Sequence, residues 1–316
     1  MKREEESGRT EAAATPAQRQ IQLVVPQPFS FTETLGYLSR SPNECMFRID
    51  NGKLYSHIPV TDERSGPVIE ISGEQDGSLV ITFLEENVPS KSSRDAIARY
   101  VHEWFDLDTD LAPFYEMAAD DALLNKVIRR FYGLRLVGIP DLFEALCWGI
   151  IGQQINLTFA YTLKRRFVES FGQHVERNGV KYWSFPSPAA IADLSVDDLT
   201  QLQLTAKKSE YLLGVAQLMA EGKLAKKQLL EAESCQAAEQ QLIAIRGIGP
   251  WTANYVLMRC LRFPSAFPIA DVGLHNAIRH LMGLDNKPSL EEIRRLGSTW
   301  AGWESYATFY LWRSIY

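Results

Sequence analysis

The stretch Leu242-Ile243-Ala244-Ile245-Arg246-Gly247-Ile248-Gly249-Pro250-Trp251-Thr252-Ala253-Asn254-Tyr255 decides how this chain is read. An apolar helix runs into Gly247-Ile248-Gly249. A second helix starts at Pro250 or Trp251, where proline suits the first turn because the N–H it lacks would have had no partner there. Two glycines permit a tight turn and bring bare backbone amides close to a ligand. Those amides, backed by the positive end of the adjoining helix dipole, predict an anion site shaped for a phosphate. Gly-x-Gly alone is equally the mark of an ordinary helix–turn–helix corner.

A second segment changes that balance. Twenty residues beyond Trp251, after a loop holding Pro264 and Pro268, comes Phe267-Pro268-Ile269-Ala270-Asp271-Val272-Gly273-Leu274, with a new helix starting near Asp271. A lone Asp ahead of a helix is usually an N-cap. Linked at this spacing to the hairpin, Asp271 becomes a candidate functional carboxylate. Further helices are predicted at about 120–132, 140–151, 156–171, 206–221, 234–245, 250–262, 272–282, 289–297 and 303–315, a compact all-α body with short connections and no fixed-period repeat.

Upstream, the sequence is strand-like. Cys45 to Ile49 leads into Asp50-Asn51-Gly52 and returns through Leu54 to Ile58, a hairpin pattern; Val68 to Ile71 and Leu79 to Phe83 bracket Gln75-Asp76-Gly77 as a second one. Thr32 to Ser39 forms a short helix between them and the first strand. Beyond Pro89, Ser92 stands three before Asp95 as a capping-box-like start to a helix carrying Ile97, Tyr100, Val101 and Trp104. The expected class is α+β, with residues 1–20 a disordered tail, 21–108 a β-rich domain and 109–316 a helical body.

Composition narrows the classes. The 316 residues are 46% hydrophobic, with no apolar run of membrane-spanning length and no signal-peptide core. Cys45, Cys147, Cys235 and Cys260 lie far apart, against an iron–sulfur cluster, a zinc site or a disulfide framework and in keeping with a reducing compartment. The net charge of −6 is unlike a nucleic-acid binder, yet residues 1–110 hold 11 Lys+Arg against 19 Asp+Glu while 111–316 hold 22 against 20. The acidity is N-terminal.

Hairpin, spacing and Asp together resemble the helix-hairpin-helix glycosylases with a Gly/Pro-rich loop and a catalytic Asp, and within them the 3-methyladenine DNA glycosylase II (AlkA-type) branch. The resemblance covers about 110–316, and the β-rich unit is similar to that branch's N-terminal domain. It implies that Asp271 is catalytic, that Trp251, Tyr255 and Trp312 line the pocket for a flipped base, and that Gly247, Gly249 and Thr252 contact DNA. It also implies a monovalent cation, Na+ or K+, on the backbone carbonyls of Ile243, Ile245 and Gly247, with no cofactor required. Gln154, in Gly152-Gln153-Gln154-Ile155, matches the segment that carries the wedge filling the gap in the duplex, where the best-known member has an apolar residue; a helix-capping amide is an equal reading.

The residue types fit that chemistry. Cleaving a base from its sugar builds positive charge on the deoxyribose, which a carboxylate beside the anomeric carbon stabilises. Family members that also nick the backbone carry Lys where this chain has Trp251, and indole cannot form a Schiff base. The implied activity is therefore monofunctional release of alkylated bases from damaged double-stranded DNA in base excision repair, by a monomer in the bacterial cytoplasm, nucleoid-associated. An aromatic pocket would attract cationic alkylated purines. Trp303, Tyr306 and Phe309 read as core, and Lys164-Arg165-Arg166 as either a phosphate contact or a solvated face. The rival readings are a glycosylase for another damaged or mismatched base, a non-catalytic helix-hairpin-helix DNA-binding protein, and a helical interaction protein.

Overall fold

Alternating apolar and polar side chains build the sheet in the N-terminal half. In the computed structural model, which describes residues 19–60, 66–74, 77–85 and 87–315, β1 (Gln20–Leu23), β2 (Phe47–Asp50), β3 (Lys53–His57), β4 (Val68–Gly73) and β5 (Leu79–Phe83) form one antiparallel sheet in the order β1-β5-β4-β3-β2. Most of the expected tail, and part of the Gln75-Asp76-Gly77 turn, lie outside the described residues; Gln20 belongs to β1. Asn51 and Gly52, at φ 50° and 74°, close the first hairpin in the left-handed region that such a turn demands. Leu54, Ile71 and Ile81 stand opposite one another across three strands, all fully buried.

That face is covered by helices. α1 (Phe31–Leu38) is capped by Ser30 and buries Tyr37 and Leu38. α2 (Lys91–Trp104) buries Ile97, Val101 and Trp104; its cap is Ser90, whose side chain accepts from Ser93 N–H, rather than Ser92. One apolar core, from Leu23 to Trp312 among the described residues, runs unbroken from sheet to helical body.

The body begins with α3 (Ala112–Asp120), α4 (Leu124–Arg130), α5 (Leu142–Ile151) and α6 (Leu157–Phe171). α3 escaped the helical pattern; Pro113 lies in its first turn, where no N–H is needed, and the Asp121 carboxylate, accepting from Leu123 and Leu124 N–H, separates it from α4. The body is also not all α. β6 (Gln173–Arg177) and β7 (Val180–Ser184) make a hairpin over Asn178 and Gly179, at φ 50° and 75°. Arg177 ties it to the sheet through Glu85 at 3.0 Å.

After the hairpin come α7 (Pro188–Ala192), α8 (Val196–Thr200), α9 (Ala206–Ala220), α10 (Lys226–Leu230), α11 (Cys235–Ile243), α12 (Pro250–Arg259), α13 (Val272–Met282), α14 (Leu290–Gly297) and α15 (Glu304–Arg313). Every residue of α5 is buried, which makes it the axis of the body. Its one carboxylate, Glu144, is met by Lys164 of α6 at 2.9 Å, and Lys164 also reaches Glu44 at 3.3 Å. Lys164 is therefore a buried ion-pair partner and neither a phosphate contact nor part of a solvated face.

Candidate active site

The hairpin forms as its glycines dictate. Gly247 sits at φ +95°, and a Cβ there would overlap the Tyr211 ring of α9, so glycine is required twice over. Ile248 is its buried anchor, its N–H donating to Ile245 O at 3.0 Å. Gly249 is the N-cap of α12 without a side chain to cap it, Pro250 opens the helix, and open space surrounds the position of a Gly249 Cβ. The first-turn amides of α12 are left for an external acceptor.

Two residues that the sequence did not mark hold this turn in place. Gln153, at the α5–α6 junction, donates through Nε2 to Gly247 O at 2.9 Å and to Thr252 Oγ1 at 3.1 Å. Lys208 of α9 donates to Ile151 O at 2.8 Å and Gln153 O at 2.7 Å, neutralising the exposed carbonyls at the end of α5. Thr252, expected to contact DNA, is buried; its hydroxyl serves Gln153 and its methyl group packs on Gly149, so only its backbone remains for a ligand. Gln154, next in the chain, has φ 58° and is exposed. The Gly247 and Ile245 carbonyls, two of the three expected cation ligands, each already accept one hydrogen bond.

Twenty residues after Trp251, the chain returns to it. Asp271 caps α13, its Oδ1 accepting from Leu274 N–H at 2.8 Å. The same oxygen accepts from Trp312 Nε1 of α15 at 2.7 Å, while Oδ2 accepts from Trp251 Nε1 of α12 at 2.9 Å. Three N–H donors from three helices fix the carboxylate, and of its four lone-pair positions the one left over is on Oδ2. Gly273 makes this approach possible: a Cβ there would stand 2.9 Å from Asp271 Oδ1 and 3.2 Å from the Trp312 indole.

Tyr255 completes the cluster one turn along α12. Its ring centroid lies 5.7 Å from that of Trp251 and 6.1 Å from that of Trp312, tilted by 32° and 33°. Two stacking distances come to roughly 7 Å at the 3.4 Å repeat of nucleic acids, so a base does not fit between Tyr255 and either indole as they stand. The Tyr255 hydroxyl accepts from Arg259 Nη1 at 3.1 Å, and the Arg259 guanidinium stands 5.5 Å from its ring, so the aromatic wall already carries a cation of its own. That weakens the expected attraction for positively charged bases. Tyr306 and Phe309, expected in the core, are buried there, and Trp303 packs on Phe114.

Residues 147–302 match the family described as HhH-GPD superfamily base excision DNA repair protein, and residues 29–146 match 8-oxoguanine DNA glycosylase, N-terminal domain. DNA-3-methyladenine glycosylase of Bacillus subtilis is 52% identical over 297 residues, covering 94% of this chain and 97% of that protein. The solved 3-methyladenine DNA-glycosylase from Archaeoglobus fulgidus, 24% identical, superposes with a TM-score of 0.78 over 93% of this chain and 96% of that one. Clostridium acetobutylicum 8-oxoguanine glycosylase/lyase, solved in complex with dsDNA containing cytosine opposite to 8-oxoG, is 21% identical with a TM-score of 0.68 over 87% and 88% of the two chains. Those two structures share the fold; the relative at just over half identity along nearly its whole length shows the family. This chain belongs to the HhH-GPD superfamily of base excision DNA repair proteins.

Proposed function

We propose that the protein is a monofunctional DNA glycosylase, hydrolysing the N-glycosidic bond of alkylated bases, 3-methyladenine and related methylpurines, flipped out of damaged double-stranded DNA. One observation carries this reading: the Asp271 carboxylate is held by Trp251 and Trp312 beside Tyr255, at the start of the next helix after the hairpin. The amides at the start of α12 grip a backbone phosphate, and Gln154 enters the space the base has left. As the bond to the base lengthens, positive charge grows on the sugar, and the fixed carboxylate stabilises it without having to reorganise. Its unfilled position on Oδ2 accepts a proton from the attacking water, whose oxygen bonds to the anomeric carbon as the base departs with the bonding electrons. Ring alkylation makes that departure easier by placing positive charge on the base.

No amine enters this scheme. Trp251 occupies the position a Schiff-base lysine would need, and Lys208, the lysine bound at the hairpin's flank, is held by two carbonyls. A monovalent cation on the Ile243, Ile245 and Gly247 carbonyls remains part of the reading, because a carbonyl that accepts one hydrogen bond keeps a second lone pair. The reaction itself calls for no cofactor. Every group invoked comes from one chain, in keeping with a monomer. Among the described residues, no helix is long and apolar enough to cross a membrane.

The test uses methylated duplex DNA. Wild-type protein should release free methylpurines, and Asp271→Asn should lower release by about 100-fold or more while DNA binding persists. Borohydride should trap no protein–DNA adduct and the strand should stay intact without heat or base. Equal release by the mutant, or a trapped adduct, would overturn the assignment.

A further inference from the structure

The turn between α5 and α6, residues 152–156, is fixed at both ends. The Gly152 N–H closes α5 on Trp148 O at 2.9 Å, and Asn156 caps α6 by accepting from Phe159 N–H at 2.9 Å. Gly152 also sets the turn beside the Asp271 cluster, because a Cβ there would stand 4.0 Å from the Trp251 indole. In the middle of the turn Gln154 is exposed at φ 58°, in the left-handed region that a glutamine keeps only where its surroundings hold it. Among the described residues its side chain has no hydrogen-bond partner, so that conformation is held by the residue before it.

Lys208 of α9 supplies the hold. Its Nζ donates to Gln153 O at 2.7 Å, and that carbonyl belongs to the peptide whose nitrogen is the Gln154 N–H, so the ammonium fixes one side of the φ torsion of Gln154. The Gln153 side chain is fixed as well, by Gly247 O and Thr252 Oγ1. A cation at the end of α5 has an ordinary explanation, capping of the last carbonyls, and it accounts for the bond to Ile151 O at 2.8 Å. It does not account for the shorter bond, because Gln153 lies beyond the Gly152 cap, outside the helix. Among the described residues Lys208 forms no ion pair, and burial lowers its pKa with no carboxylate to oppose the effect. A partly desolvated ammonium answered only by carbonyls is an expensive way to cap a helix.

Resting on the glycosylase reading above, in which Gln154 fills the space the base has left, we infer that Lys208 is a positioning residue for that step: by holding the 153–154 peptide it presets Gln154 for entry into the duplex. A side chain carried on backbone already in the required conformation loses less freedom on entering the stack. The extruded state is favoured accordingly, and more of the bound DNA stands ready for cleavage. A base in a single strand leaves no gap opposite a partner and gains nothing from Lys208.

The experiment compares single-turnover release of 3-methyladenine, at saturating protein, from methylated duplex and methylated single-stranded DNA. Lys208→Met should lower the duplex rate by about tenfold, the scale on which a held backbone conformation matters, and the single-strand rate by no more than about twofold. A lysine that only supports the fold would slow both alike. In a Gln154→Ala background, Lys208→Met should add little to the duplex loss, whereas losses that multiply would show that it acts elsewhere. Lys208→Gln keeps two N–H donors without the charge; it should show the same selectivity to a smaller degree, which keeps the test intact if the Met variant does not fold. A cleavage-independent readout places 2-aminopurine opposite a non-cleavable abasic-site analogue: wild-type protein should raise its fluorescence as Gln154 enters the gap, and Lys208→Met should raise it less. An equal loss on both substrates, no loss on duplex, or an undiminished fluorescence rise overturns the role of Lys208 while leaving the glycosylase reading standing. Wild-type protein that releases the base from neither substrate refutes both.

Discussion

Asp271 is the residue whose neighbours matter most. The indole N–H groups of Trp251 and Trp312 support its carboxylate, and each such charge-assisted bond contributes about 1.5–3 kcal/mol. Gly273 is the least conspicuous member of the group. An alanine there would put a methyl group 2.9 Å from Asp271 Oδ1 and 3.2 Å from Trp312. Gly273→Ala is accordingly expected to lower the rate of base release by at least about tenfold through displacement of the carboxylate or of Trp312. The melting temperature should fall by only a few degrees, because alanine suits the first turn of a helix and offsets part of the weakened bond. Rates measured at saturating DNA beside a thermal melt decide the matter; full activity would show that the Asp271–Trp312 bond is not needed.

Among the elements, the hairpin depends on a neighbour as much as on its own glycines. α11 and α12 meet at a turn whose carbonyl at Gly247 and hydroxyl at Thr252 are both satisfied by the Gln153 amide. Gln153→Ala leaves those two acceptors short of a donor, at a cost of about 1–3 kcal/mol, and lets the amides at the start of α12 drift from a common target. DNA affinity should fall roughly tenfold with the release rate at saturating DNA nearly preserved. A fluorescence-anisotropy titration checks the first part and single-turnover kinetics the second. A fall in rate with unchanged affinity would instead place Gln153 with the catalytic groups.

The two halves of the molecule are joined by more than apolar surface. Glu44 of the sheet domain, Lys164 of α6 and Glu144 of α5 form a buried ion cluster across the junction. Lys164→Met removes the cation and leaves two buried carboxylates facing each other, which is expected to destabilise the protein by about 3–5 kcal/mol, read as a lower denaturant midpoint. Glu44 titrates below its ordinary value of 4.5, so its share of the stability is present above that pH and is lost as pH falls through the lower folded value. The mutant should show less of this loss in acid than the wild type. A midpoint within error of wild type would mean that the cluster is solvated and the junction is held by packing alone.

Local sequence set much of this. Gly247, Gly249 and Pro250 permit only a tight turn into a helix start, Asn51-Gly52 permits a left-handed hairpin turn, and α12, α13 and α15 lie where apolar periodicity puts them, because backbone conformation and side-chain period are short-range properties. The Asn178-Gly179 pair carried the same turn signal as Asn51-Gly52, but β6 and β7 are short and half exposed, with no apolar alternation to reinforce it. The sequence also marked Asp271, through its spacing from the hairpin, and Trp251, Tyr255 and Trp312, through the family resemblance that the hairpin and Asp271 carry. That the two indole N–H groups point at that one carboxylate, that the Gln153 amide ties Gly247 to Thr252, and that Lys208 reaches the Gln153 carbonyl were decided only when the chain closed on itself. Each is a contact between residues tens to hundreds of positions apart, and hydrogen bonds and charge balance of that kind arise from distances that no local pattern encodes.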